Sequence, residues 1–482
     1  MPKIIKISLF LYAALLLFVF THHVHSQDKV QKIDELVQQY AALGQINGAV
    51  LVAENGKVIF SKGIGYADTE NKVLNNPETK FRLASVTKQF TAALILQLVE
   101  KGKIKLDGKL SDYLPYYRKD VGEKVTIHQI LSHTAGINNY TDKPEFAKDD
   151  AEKRVEPKEF ILARCSDELI FEPGTSWAYS NSGYFILGAV IEEVTGKKYG
   201  DVLQENILVP LGMMNSGYEN SDVTYENKAK GYENSIAGVA PARRIDMSIP
   251  FSAGSMYSTV EDMFKWDQSL YTDKILSDAS REKMFTPVLN NYGYGFGIVE
   301  PELGGKKIRI ISHSGGIFGF NTLFSRFVDD KHTIIVLNNY YDAASSALSN
   351  GIAQILYGFD APPPREDLTN VLMKKITEKG FDAAVKEVKA LKEDAAKYKT
   401  NEVGMNNLGY LFLQQGKNKE AVEIFKLNVE WYPKSANVYD SYGEALAAAG
   451  DIENAILNYK KSIELNPNND AGKEMLKKLE GK

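Results

Sequence analysis

The sequence runs to 482 residues, 44% of them hydrophobic and 25% charged, with a formal net charge of −5. This is an ordinary globular composition, long enough for several domains, and its mild charge gives no electrostatic footprint for nucleic acid or an anionic membrane surface. The single cysteine, Cys165, excludes an intrachain disulfide and a Cys/His zinc pattern.

Residues 1–26 read as a secretory signal peptide. Lys3 and Lys6 precede an apolar stretch from Ile7 to Phe20, and Val24 and Ser26 suit the −3 and −1 positions before Gln27. The apolar stretch is short for a span of about 20 residues, and no later stretch is long and apolar enough to cross a bilayer. After cleavage the chain keeps His128, His133, His313 and His332, widely scattered. No metal site and no cofactor are expected.

The mature chain opens with Ile33, Leu36, Val37 and Tyr40 at helical spacing. Two apolar strands follow, Ala49–Ala53 and Val58–Ser61, joined by Asn55-Gly56, a hairpin signal because both turn residues need positive φ. A helix is expected from Ser85 to Lys101. The region from Asp107 to Met256 is loop-rich, with helices near Ile127–Ser132, Pro157–Ala163 and Ser182–Thr195. Strands return at Tyr294–Val299, Lys307–Ser312, Phe320–Phe327 and His332–Asn338, with a turn at Asp329-Asp330, and a helix spans Ala343–Tyr357. Strands at both ends of this region and helices between them suggest one antiparallel sheet with a helical insertion beside it and a cleft between the two.

Pro362-Pro363-Pro364 cannot continue a helix and marks a boundary. Beyond it Gly409, Gly416, Ala421, Phe425 and Pro433 recur 34 residues later as Gly443, Gly450, Ala455, Tyr459 and Pro467. That period and its helix-turn-helix character resemble tetratricopeptide repeats. Gly380–Val388 reads as a degenerate earlier unit and Ala471–Leu479 as a capping helix. The expected division is a signal peptide over 1–26, a catalytic domain over 27–360, a linker and degenerate unit over 361–400, and repeats with a terminal helix over 401–482.

Three motifs carry chemistry. Ser85-Val86-Thr87-Lys88 opens an apolar helix, so Lys88 lies one turn from the Ser85 hydroxyl. The helix N-terminus favours negative charge developing on the serine, and a desolvated lysine can serve as its base. The same Ser-x-x-Lys spacing recurs at Ser26–Lys29 and Ser280–Lys283, in unsuitable contexts. Tyr179-Ser180-Asn181 follows a Pro-Gly turn and precedes another apolar helix, unlike the Tyr-x-Asn decoys at Tyr218, Tyr225 and Tyr232 in polar loops. A phenol near a lysine ammonium can become phenolate-like, and Asn181 can offer its amide to substrate and to Lys88. His313-Ser314-Gly315-Gly316 follows an apolar strand, where glycines would let a substrate lie on the strand edge and a backbone N–H, with that of Ser85, would bind an oxyanion.

In this order the three motifs resemble the class C β-lactamase-like serine hydrolases of the penicillin-binding-protein superfamily, over about Lys32–Tyr357. Phe81–Ser85, Ile130–Ile137, Ala253–Thr259 and Tyr294–Gly297 also look like this family. The resemblance implies an α+β fold, an antiparallel sheet flanked by helices with a helical insertion, followed by the all-α repeat domain. It implies Ser85, Lys88 and Tyr179 as catalytic residues, with Lys88 and Tyr179 sharing general-base duty. Asn181, His313, Gly315 and Gly316 are the implied substrate-binding residues, and His133 matches a position usually thought structural.

The sequence departs from the family at the third motif, where His313 replaces a lysine. A histidine of pKa about 6.5 is mostly neutral at pH 7, which weakens a reading as a dedicated β-lactamase. The expectation is a bacterial exported enzyme, periplasmic or secreted, that opens an amide or ester of a small molecule or peptide through a Ser85 acyl-enzyme. The repeats would engage a protein partner or, alternatively, brace the catalytic domain or cover its cleft. The rival is a silent protein that binds cell-wall or peptide ligands in the same cleft.

Overall fold

The computed structural model describes residues 27–143, 146, 151–235 and 238–481. The signal-peptide expectation therefore lies outside the described residues. The chain divides into two compact units, residues 1–233 with 240–363, and residues 364–482 with 234–239.

The first unit is built on a six-stranded antiparallel sheet. In chain order its strands are β1 (Gly48–Glu54), β2 (Lys57–Ile64), β3 (Gly297–Val299), β4 (Ile310–Ile317), β5 (Phe320–Phe327) and β6 (His332–Asn338). Their order across the sheet is β3-β4-β5-β6-β1-β2. Strands from both ends of the unit thus meet at the β6–β1 seam, where Val50 pairs with Val336 and Leu51 with Ile335. The hairpin joining β1 to β2 turns at Asn55 (φ 52°) and Gly56 (φ 74°), the positive values the Asn-Gly pair was expected to supply.

Both faces of the sheet are covered, so β1 is apolar from Gly48 to Ala53 and its side chains divide by parity. Val50 and Val52 face helix α1 (residues 27–42), through Ile33, Leu36 and Val37, together with Leu348 and Ile352 of the helix Ser345–Leu356. Ala49, Leu51 and Ala53 face the larger core. That core holds α2 (Thr87–Glu100), α3 (Ile127–Leu131) and α4 (Asn181–Thr195). α2 is buried along nearly its whole length, which explains a sequence apolar on more than one side. Inside this unit Arg326 of β5 donates from Nε to the Asp267 carboxylate at 2.7 Å, both side chains almost fully buried.

The second unit is helical. Pairs form from Leu368–Lys379 with Phe381–Leu391, Glu402–Gln414 with Asn418–Trp431, and Ala436–Ala449 with Ile452–Leu465, and Asp470–Glu480 closes the series. The repeated small residues sit where paired helices meet. A Cβ on Gly409 would fall 2.5 Å from the Phe425 ring, and one on Gly443 3.1 Å from that of Tyr459.

Candidate active site

Ser85 does not lie in the α-helix itself. It sits in a 3-10 turn, Ala84–Val86, immediately before α2. The turn is held on several sides. Leu83 N–H donates to the Met256 carbonyl at 2.8 Å, the Thr322 hydroxyl to the Leu83 carbonyl at 2.8 Å, and Met256 N–H to the Thr87 hydroxyl at 3.2 Å. Ala84 takes φ 49°, a conformation an L-residue rarely adopts without outside support. The strain and its anchors aim the next side chain, Ser85, into a cleft of about 260 Å³ that is also lined by Asn181, Gly316 and Tyr341.

Lys88 lies behind Ser85 with no exposed surface. Its Nζ is 3.1 Å from Ser85 Oγ, 2.8 Å from Asn181 Oδ1 and 2.9 Å from the Ala253 carbonyl. Two of these neighbours are carbonyl oxygens, which only accept. A neutral amine would donate one N–H to each and keep its lone pair for the Ser85 O–H. Among the described residues Lys88 has no carboxylate in contact, and burial pushes its pKa well below the usual lysine range. The aromatic faces of Tyr179 and Tyr184 complete the enclosure, with Nζ 4.9 and 5.6 Å from their ring centres.

Asn181 starts α4, whose N-cap is Ser180, the hydroxyl accepting from Gly183 N–H at 3.1 Å. Its oxygen faces Lys88, and its Nδ2 donates to the Thr141 hydroxyl at 3.2 Å. Tyr179 is half-buried beside Ser85. Burial raises its phenol above the ordinary tyrosine range, and the neighbouring Ser85 hydroxyl only partly offsets this. Tyr179 therefore carries its proton at neutral pH, and the burial that disfavours the Lys88 ammonium also works against the phenolate-like state expected beside it.

The third motif lies inside a strand rather than after one. β4 continues through His313-Ser314-Gly315-Gly316 to Ile317. β3 pairs only with Ile310–Ser312, while β5 pairs with all of β4. Among the described residues, the β3-side edge of His313–Ile317 is therefore left without a strand partner. Gly315 passes under the serine turn, where a Cβ would meet the Leu83 carbonyl at 2.2 Å; Gly316 opens onto the cleft. His313 is buried and tied to protein at both nitrogens. Nδ1 lies 2.6 Å from the Ser314 carbonyl, so Nδ1 carries the proton and Nε2 accepts from the Tyr292 hydroxyl at 2.9 Å. Burial, then the nearby Lys88, lower its pKa to about 4. It is a neutral backing group here, and it does not line the cleft.

Ser85, Lys88, Tyr179, Asn181 and Gly316 are thus brought together, with Gly315 and His313 directly behind. Sequence reasoning missed the Ala253 carbonyl and the Tyr292 hydroxyl. It also left His133 aside, although His133 accepts the Ser180 N–H on Nδ1 at 3.1 Å and the Ala178 N–H on its carbonyl at 3.0 Å. Backbone and long-range contacts of this kind have no local sequence signal. In the decoy pair Ser280 is buried and Lys283 is exposed.

The family model described as Beta-lactamase matches residues 33–358, the stretch that holds all of these groups, and the chain belongs to that family of serine hydrolases. Two further stretches, 404–435 and 436–469, match the tetratricopeptide repeat. Among curated relatives, Penicillin-binding protein 4* of Bacillus subtilis is 32% identical over 361 residues, covering 70% of this chain and 78% of the relative. Among solved structures, a penicillin-binding protein from Bacillus halodurans is 26% identical with TM-score 0.60, covering 66% of this chain and 98% of its own. The octameric penicillin-binding protein homologue from Pyrococcus abyssi is 26% identical with TM-score 0.62, covering 73% and 82%.

Proposed function

We propose that this protein is an exported hydrolase that opens an amide or ester through an acyl-enzyme on Ser85. The observation that carries the reading is the buried Lys88 amine, 3.1 Å from Ser85 Oγ and with no carboxylate in contact among the described residues. A serine needs an adjacent base to attack a carbonyl, and a desolvated neutral amine is one.

In the first half-reaction Ser85 Oγ bonds to the scissile carbonyl carbon as its proton passes to Lys88 Nζ. The backbone N–H groups of Ser85 and Gly316 hold the resulting oxyanion. The C–N or C–O bond then breaks, with the proton reaching the leaving amine or alcohol through the Tyr179 phenol. In the second half, water gives its proton to the Lys88–Tyr179 pair and its oxygen to the acyl carbon. Ser85 Oγ departs and regains a proton. Asn181 holds Lys88 and offers its side-chain amide to the substrate.

The neutral His313 supports a peptidase, esterase or amidase over a dedicated β-lactamase, since the strand offers no fixed positive charge for a substrate carboxylate. Residues 27–360 form the catalytic domain in this reading, and the repeats dock a protein partner. The test is intact-protein mass of the mature chain with a penicillin and, separately, a p-nitrophenyl ester, with Ser85→Ala alongside. An adduct or turnover present in the wild type and absent from Ser85→Ala is expected. No Ser85-dependent event with either probe would favour the silent binding protein.

A further inference from the structure

Beside the cleft lies a second, larger pocket of about 480 Å³, framed by Arg82, Glu219, Lys228, Arg243 and Arg244. Ile245 and Phe318 line both cavities, so the two are immediate neighbours. Glu219 is buried and is the only carboxylate in the wall among the described residues. Arg82 donates to it through Nε and Nη2, at 2.8 Å for the latter, and Lys228 bonds the same carboxylate. One negative charge thus meets two positive ones.

Arg243 and Arg244 are exposed and pair with no carboxylate among the described residues. Lys230, which also reaches the pocket, is neutralised by Asp68 and Glu70 and adds nothing. The guanidinium groups are also oriented. Arg243 stacks 4.4 Å from the Phe318 ring centre and Arg82 5.6 Å from that of Phe320. A guanidinium fork held by an aromatic face suits a planar or tetrahedral oxyanion. The chain as a whole is mildly acidic, so this excess of positive charge is local.

We infer that this pocket binds an oxyanion arm of the substrate, a carboxylate or phosphate remote from the scissile bond. The inference rests on the Ser85 reading above. It places the cationic recognition group in the pocket next to the cleft, while the β4 position beside the serine holds His313.

The experiment compares the full mature chain with Arg243→Glu/Arg244→Glu, both sites being exposed and outside the serine cleft. The substrates are neutral phenyl acetate and phenyl butanoate, then phenyl hydrogen glutarate, 4-acetoxybenzoate and 4-acetoxyphenyl phosphate. These place a carboxylate on the acyl side, a carboxylate on the leaving side, and a phosphate. The variant-to-wild-type ratio for each ester cancels its intrinsic reactivity. For at least one anionic ester KM rises about tenfold at unchanged kcat, and both neutral esters keep their constants. High salt erodes the wild-type preference and leaves the variant unaffected. Equal loss on neutral and anionic esters, or no loss on any anionic ester, overturns the inference. If no ester is turned over in a Ser85-dependent way, the Ser85 reading fails separately. Calorimetric titration with glutarate and with inorganic phosphate then decides the pocket: binding to the wild type and not the variant sustains it, and no binding to the wild type overturns it.

Discussion

His133 holds the chain on both sides of Tyr179. Its Nδ1 accepts the N–H of Ser180 and its carbonyl accepts the N–H of Ala178, while its ring lies 4.4 Å from the Tyr179 ring centre. Burial keeps its pKa well below the usual histidine range, so Nδ1 stays an acceptor at neutral pH. His133 also takes φ 60°. We expect His133→Ala to leave the Ser180 N–H unpaired, lower stability by about 1–3 kcal/mol, and reduce kcat about 10²-fold through a displaced phenol. His133→Asn, which tolerates positive φ and keeps an acceptor, should recover part of kcat. Loss of stability with full kcat retained in His133→Ala would reduce the residue to a packing role.

Burial of Lys88 makes the stability of the fold depend on pH. Its folded pKa lies below that of the unfolded chain, so unfolding takes up a proton between the two values and stability rises with pH across that window. Lys88→Met removes this slope. Melting curves should show the variant gaining stability over wild type at pH 7 and losing that advantage towards pH 10.5, while turnover falls by about 10²–10⁴-fold. In the wild type, activity should decline on the acid side as Lys88 becomes protonated.

His313 should make acid the weak side of the fold. It is neutral in the native state down to about pH 4, whereas the unfolded side chain binds a proton near 6.5. Stability is then lost as pH falls from about 6.5 towards 4, by roughly 3 kcal/mol from this residue. Denaturant titrations of wild type and His313→Gln across that range check it; parallel curves would count against a depressed His313. The rate profile should show no limb near 6.5 from this group.

Asp267 and Arg326 form a buried pair, with the Thr333 hydroxyl donating to the second Asp267 oxygen at 2.8 Å. Asp267→Ala leaves a buried guanidinium without its counter-charge and should cost about 3–5 kcal/mol. The double variant Asp267→Leu/Arg326→Met should lose less than Asp267→Ala alone, read by urea denaturation.

The repeats offer a graded comparison. Gly409→Ala would drive a Cβ to 2.5 Å from the Phe425 ring and should destabilise by about 1–3 kcal/mol. Gly443→Ala meets Tyr459 at 3.1 Å and should cost less, because a small shift relieves it. Equal losses by chemical denaturation would contradict helix approach as the reason for both glycines.

Much was legible from local pattern. Asn55-Gly56 announced the hairpin because its conformational demand is met within two residues. The period of 34 announced the paired helices because each repeat packs on its neighbour. Ser85 and Lys88 could be paired because one helical turn sets their separation. The sequence alone therefore determined the family, the order of elements and the pairing of Ser85 with Lys88. Only the tertiary structure decided the chemical state of those groups. It buried Lys88 against two carbonyls, continued β4 through His313–Ile317 rather than ending it before the motif, and placed Arg82 and Arg243 in one pocket beside the cleft. Protonation and charge balance depend on desolvation and on groups tens to hundreds of residues apart, and no local pattern encodes either.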